Sequence, residues 1–263
     1  MYVIPPEFKD FISLKCKRLE FIQNYLNSYG IEAPVMPIDG KNHIYVKFPI
    51  EQYNPSYKIK TVIAHYDRAE GTYGANDNSA AVFCMLEWAR KLIQYKTPHN
   101  IRIIFTDGEE ENEKGVTAQG AFSLAKLFVK LHLQNDDVFI FDCMGRGNIP
   151  IICEQDFSEK VSQSYINRFN DLENRMMKIL IKANNGKWFK LKTAYSDNAG
   201  FIANGIPCCT ITMLPSNEIS DLIRPKTWDI IHTTFDNLDS LSPESFQITQ
   251  KIFDLLADAR FYS

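Results

Sequence analysis

Five short stretches of the chain carry side chains that bind metals or move protons: "HYD" at 65–67, "GANDNSAA" at 74–81, "TDGEE" at 106–110, "FDCMG" at 141–145 and "IHTTFDNLD" at 231–239. In the first, an imidazole is followed two residues later by a carboxylate. A metal-bound histidine usually donates its second ring N–H to a carboxylate, so Asp67 suits the task of orienting His65; alone, the pair is more often an ordinary surface or core contact. Asp77 stands between two amides where a strand hands over to a helix, which reads either as a helix cap or as a ligand. Glu109 and Glu110 are adjacent and repel each other unless something neutralises them. Either they begin an exposed acidic loop running on to Glu113, or one binds a metal while the other takes a proton from water. Asp142 follows the apolar "VFIF" and is costly to bury without a partner or cation, although an aspartate before Gly145 also starts a turn. His232 adds a second imidazole, with Asp236 and Asp239 nearby as turn formers or as partners. A lone histidine in a loop is ordinarily no ligand. Together, two histidines, three acids and a spare glutamate match the mixed nitrogen and oxygen donors of a zinc pair bridged by a carboxylate.

Something must bring these residues together. Apolar runs of strand length alternate with longer stretches of helical period, the pattern of a largely parallel sheet covered on both faces. The expected strands are 44–48, 59–65, 101–106, 138–142, 149–153 and 208–214; the expected helices are 7–28, 79–95, 118–131, 159–182 and 243–260, the last with Ser242 as N-cap and Pro243 in its first turn. The fold class that follows is α/β, a three-layer αβα sandwich around a mostly parallel mixed sheet, with residues 1–263 forming one domain. On this reading His65, Glu109, Glu110 and Asp142 lie at or just past the C-terminal ends of strands, where open α/β sheets bind ligands.

Composition narrows the function further. The 263 residues are 45% hydrophobic and carry a formal net charge of −3 with the signs interspersed. This offers no basic face for nucleic acid. No run approaches the ~18 apolar residues of a membrane span, and the first residues lack the pattern of an export signal. Six scattered or adjacent cysteines (Cys16, Cys84, Cys143, Cys153, Cys208, Cys209) form no CxxC pair and read as reduced thiols. The expectation is a cytoplasmic protein with neither membrane nor nucleic-acid partner.

From about residue 58 to 260 the chain resembles the co-catalytic zinc aminopeptidases and the related animal-type glutaminyl cyclases. The resemblance rests on the five stretches above together with "YSDNAGF" and the "GIP" that follows it. It implies two zinc ions per chain, one held by His65 and Asp142, the other by Glu110 and His232, with Asp77 bridging both. It also implies Glu109 as general base, Asp67 as the partner of His65, and a cis peptide between Asp77 and Asn78. The activity implied is removal of the N-terminal residue from a peptide with a free amino group, which Glu109 or Asp197 would face; Tyr195 is either an oxyanion donor or a core aromatic. Cyclisation of an N-terminal glutamine is the alternative, although those cyclases tend to carry tryptophan where this chain has Ile231, with Trp228 three residues away. The relatives that trim acylated amino acids usually insert a lid domain for which this chain has no room. A third possibility is a binding protein that has kept the fold and lost the chemistry. Asn198 replaces a common histidine and Asn237 a common threonine, and "ENEKGVTAQGA" is more acidic than usual; none of these is among the ligands.

Overall fold

The structure is a computed structural model and describes residues 2–110, 114–219 and 224–258. The chain begins with two short helices, α1 (Pro6–Ile12) and α2 (Arg18–Ser28), and a hairpin of β1 (Val35–Ile38) and β2 (Lys41–Val46). Alternating units follow: β3 (Lys60–His65), α3 (Ala80–Leu92), β4 (Ile101–Thr106), α4 (Gly120–Lys130), β5 (Asp137–Phe141) and β6 (Ile149–Cys153). Then come the long α5 (Gln163–Ala183), β7 (Phe189–Leu191), α6 (Asn198–Ala203), β8 (Cys208–Leu214), α7 (Thr227–Ile230) and α8 (Pro243–Ala257).

The eight strands form one sheet in the order β1-β2-β4-β3-β5-β8-β6-β7. Its centre, β4-β3-β5-β8, is parallel, while β1, β2 and β6 introduce antiparallel pairings. β3, β5, β6 and β8 are buried along their whole length, as strands covered on both faces must be. Side chains alternate between faces. Val62 packs into the core shared with α3, α5 and α8, and Ile63 packs under α4 and α6 with Leu124, Phe128 and Phe201. Each such side chain contributes roughly 1.5–3 kcal/mol when fully buried. The Trp88 and Phe253 rings stack between α3 and α8 at 4.8 Å, clamping that layer together.

The departures from expectation have local causes. The helix expected over 7–28 breaks after Ile12: Ser13 turns extended (ψ 138°) and the chain restarts at Arg18. The carbonyls of Ile12, Ser13 and Leu14 around the break accept from the Arg68 guanidinium. β1 and β7 lie at the two edges of the sheet and are short, β1 with Pro37 in it; such a proline fits an edge strand only. Ser242 precedes α8, but its side chain makes no capping bond. Of the acidic run expected to continue from Glu110, residues 111–113 lie outside the described residues, as do residues 259 and 260 of the last expected helix.

β3 is flanked by β4 on one side and β5 on the other, and the chain reverses its direction of winding there. The C-terminal ends of those three strands therefore open onto one crevice. No helix among the described residues is long and apolar enough to cross a membrane.

Candidate metal centre

His65 ends β3, Asp142 follows β5 directly, and Glu109 and Glu110 follow β4 across Gly108, whose φ of 78° suits glycine. Asp77 lies in the irregular turn between Gly74 and α3, where the Asp77–Asn78 peptide is cis. His232 arrives on the loop after α7. These segments converge. His65 Nε2 stands 3.2 Å from Asp77 Oδ1 and 3.6 Å from Asp142 Oδ1, and His232 Nε2 stands 3.1 Å from both Asp77 Oδ2 and Glu110 Oε2. Asp77 thus presents one oxygen to each imidazole. All five expected metal ligands meet in one place, and the Asp77 side chain caps no helix.

Whether these residues suit a cation is a question of spacing, satisfaction and charge. Donor atoms about 2.0–2.2 Å from a tetrahedral zinc ion stand roughly 3.3–3.6 Å apart, close to the separations above. The donors of His65, Asp77 and Asp142 lie within 4.8 Å of one another, as do those of Asp77, Glu110 and His232. Both nitrogens of His65, with Asp142 Oδ1 and Glu110 Oε1, are buried without a hydrogen-bond partner, an expensive condition unless something else binds them. The charge imbalance points the same way. Burial opposes protonation of His65, but Asp142, Asp67 and Asp77 outweigh it and raise its pKa well above normal. Hydrogen bonds to Asp77 and Glu110 push His232 up to about 11. Burial would raise the pKa of Asp77, yet the two histidines hold it far below the usual range. The cluster favours positive charge, and the residues fit a zinc-like cation.

Neighbouring groups fix the cluster. Asp67 Oδ1 lies 3.5 Å from His65 Nδ1, and Asp67 Oδ2 accepts from the backbone N–H of Glu110 at 3.0 Å, so Asp67 links the β3 and β4 loops. Asp236 accepts from the N–H groups of Asn76 (2.7 Å) and Asp77 (3.0 Å), which makes it a partner of the Asp77 turn, whereas Asp239 lies exposed in a following turn. Asn78 donates to the Phe141 carbonyl at 2.8 Å, tying that turn to the end of β5. From the start of α2, Arg18 donates to the carbonyls of Tyr66 (2.9 Å), Asp67 (3.1 Å) and Tyr73 (2.8 Å) and to Ser79 Oγ (2.6 Å).

Glu109 is buried beside the ligands. The Gln119 amide donates to its Oε1 at 3.2 Å and to its carbonyl at 3.3 Å. Burial, and after it the charges of Asp142, Asp197 and Asp77, raise the Glu109 pKa well above normal against the pull of His65. Asp197 departs from expectation. It is wholly buried, takes a 2.5 Å hydrogen bond from Thr106 Oγ1 and does not line the cavity; burial raises its pKa to about 7. Tyr195 departs in the other direction: it is 61% exposed at the cavity rim and is no core aromatic.

The cavity beside the cluster encloses about 90 Å³, walled by Cys143, Cys153, Tyr195, Thr210, Trp228 and Ile231. Asn198 uses its Oδ1 to accept from the Ser196 N–H at 2.8 Å, and Asn237 caps its own turn through the Asp239 N–H; both replacements serve local backbone. Sequence reasoning missed Arg18, Gln119 and Thr106. Thr106 opens the acidic motif and Gln119 follows in the stretch after it, but nothing in the residues around Arg18 signals its reach.

The profile of peptidase family M28 matches residues 46–257. No curated protein matches. Among solved structures, the glutaminyl cyclase of Porphyromonas gingivalis is similar with 18% identity and a TM-score of 0.67 over 96% of this chain and 95% of that one. A Zn-dependent exopeptidase from Parabacteroides distasonis is similar with 16% identity and a TM-score of 0.68 over 95% of each chain. The Legionella pneumophila aminopeptidase LapA shows 17% identity and a TM-score of 0.65 over 97% of this chain and 76% of its own. At these identities the likeness is one of fold.

Proposed function

This chain belongs to peptidase family M28, and on that premise we propose that it is a zinc-dependent aminopeptidase that hydrolyses the N-terminal peptide bond of peptides. The observation that carries the reading is Asp77, whose two oxygens face two imidazoles at 3.2 and 3.1 Å. His65 and Asp142 would hold one ion, Glu110 and His232 the other, and Asp77 both. Zinc bound there supplies Lewis acidity, polarising a carbonyl and making water more acidic.

The remaining work falls to the chain. Gln119 occupies Oε1 of Glu109 and leaves Oε2 to accept a proton from the attacking water and return it to the leaving amine. Burial and the neighbouring carboxylates raise the Glu109 pKa, which makes it the stronger proton acceptor. The substrate's amino group needs an acidic neighbour at the cavity; with Asp197 enclosed, Glu109 is the better placed of the two. Tyr195, exposed at the rim, is free to donate from its phenol to an oxyanion.

A second reading, cyclisation of an N-terminal glutamine, is favoured by Trp228, whose position on α7 brings it to the cavity wall beside Ile231. A binding protein without chemistry is disfavoured because the chain keeps all five proposed ligands and the proposed base close together. One panel separates these readings: aminoacyl reporters and an N-terminal glutamine peptide, each assayed with added zinc. Release of the reporter supports the aminopeptidase, and pyroglutamate formation alone supports the cyclase. No turnover together with no retained zinc favours the binding protein.

A further inference from the structure

Arg18 is buried, 7% exposed, yet among the described residues no carboxylate accepts a hydrogen bond from it. A buried cation is normally paired with an acid. Here its partners are the backbone carbonyls of Tyr66, Asp67, Tyr73 and Gly74 together with Ser79 Oγ, and Phe11 lies against the guanidinium at 5.1 Å. Burial, and next the charge of Arg68, lower its pKa to about 10, which still leaves it charged at neutral pH.

The partners divide into two groups. Tyr66 and Asp67 leave the end of β3 directly after His65; Tyr73, Gly74 and Ser79 bracket the turn that carries Asp77. Arg18 Nη1 serves the first group and Nη2 the second. A planar fork of fixed geometry thus spans the two backbone segments whose separation sets the 3.2 Å approach of His65 to Asp77. Ser79 Oγ passes the connection on, donating to the Gly74 carbonyl at 2.5 Å. Gly74 is left-handed (φ 54°), and a Cβ there would come within 2.5 Å of the Asp77 carbonyl oxygen and 3.2 Å of Arg18 Nη2. The joint is built around this guanidinium, and it enters from α2, outside the 46–257 stretch that the family profile matches.

We infer that Arg18 is a positioning residue for the metal centre: by pinning the β3 exit to the Asp77 turn, it fixes the bridging carboxylate opposite His65. The inference rests on the zinc reading above. Lysine in its place keeps the charge but is a single point with no fork, so it holds one segment and releases the other.

The test is zinc affinity by calorimetry on the full chain, comparing wild type, Arg18→Met, Arg18→Lys and, as a control for stability alone, Phe169→Leu. Phe169, on α5, is buried against Phe157, and α5 packs on α8, β6 and β8. Loss of a group that supports metal ligands typically costs about 10–100-fold in metal affinity. Arg18→Met should weaken zinc binding by about that much and Arg18→Lys by less, while Phe169→Leu lowers the melting temperature and leaves zinc affinity unchanged. Zinc affinity within twofold of wild type in both Arg18 variants, or losses in Phe169→Leu as large as theirs, would overturn the positioning role and leave the proposed function standing. If Arg18→Met does not fold, Arg18→Lys alone decides. A wild-type protein that binds no zinc overturns the proposed function, and this inference with it.

Discussion

The two imidazoles of the centre live in opposite surroundings. His65, with its side chain 1% exposed, sits at the end of a buried strand behind Asp67, and the loops around it are tied by Arg18 and Asp236. His232, 49% exposed, comes from a loop whose neighbours include Phe235 at 71% exposure, and Tyr195 stands exposed across the same opening. One wall is built from satisfied backbone and the other from side chains that meet solvent. On the proposed reading the difference separates two tasks: the buried wall would fix where cations sit, and the open wall would admit what they act on. Asp77, buried yet facing both histidines, is where the two walls join.

The strongest way to break this picture is to remove that joint. Asp77→Ala should abolish binding of both ions and reduce activity to background, whereas His65→Ala should weaken chiefly one ion; elemental analysis after desalting reads the stoichiometry, and two tightly held ions in the Asp77 variant would refute the bridge. Next in size is the division of labour after β4. Glu109→Gln should keep its zinc while kcat falls about 10²-fold or more. Glu110→Gln should lose metal, because an amide oxygen is a poorer zinc ligand than a carboxylate. The reverse pattern would exchange their roles.

A smaller effect should separate the walls by pH. In the metal-free protein His232 titrates near 11 instead of the ~6.5 of an unfolded chain. Its protonation therefore stabilises the fold fully below ~6.5, and that contribution is lost as pH rises through about 11; His65 is shifted in the same direction. Half-exposure of His232 reduces its share through solvent screening. Zinc requires both rings neutral, so its affinity moves oppositely and falls in acid. The gain in melting temperature on adding zinc should accordingly widen as pH rises from ~6 to ~9, and a gap that stays flat or narrows would contradict this assignment of charge. The smallest effect belongs to the open wall. Tyr195→Phe removes only the phenol of an exposed residue, so zinc content should be unchanged and kcat should fall several-fold at most; a loss as large as that of Glu109→Gln would make Tyr195 part of the buried machinery.

The buried wall was the more legible from sequence, because its ligands follow strands that announce themselves as apolar runs: "IKTVIAH" before Asp67, "IRIIFT" before the paired glutamates, "VFIFD" ending on Asp142. The open wall was harder to read. Tyr195 is as aromatic as any core residue and only its loop exposes it, while Asp197 has the composition of a surface acid and only the packing of α6 under the sheet encloses it. Arg18 was illegible for a different reason. Its partners are mostly backbone carbonyls, which every residue has, so no pairing of residue types betrays the contact. The break after Ile12 and the edge strands β1 and β7 escaped likewise, being set by what packs against them and too short to show a period.

The joint between the first two helices and the β3 exit also bears on where this molecule can be divided. By similarity the recognisable enzyme begins at residue 46, and β3, the first strand of the parallel centre, begins only at Lys60. Yet Arg18 reaches forward to the loop after β3, and Arg68 reaches back to the carbonyls of Ile12, Ser13 and Leu14. A version trimmed to residues 46–257 would keep the central strands and every proposed ligand, but it would leave the Arg68 guanidinium and the carbonyls of Tyr66, Asp67 and Tyr73 without these partners. The boundary drawn by similarity is therefore not a boundary of mechanical independence, and the opening helices belong to the scaffold of the centre as much as the strands that carry its ligands.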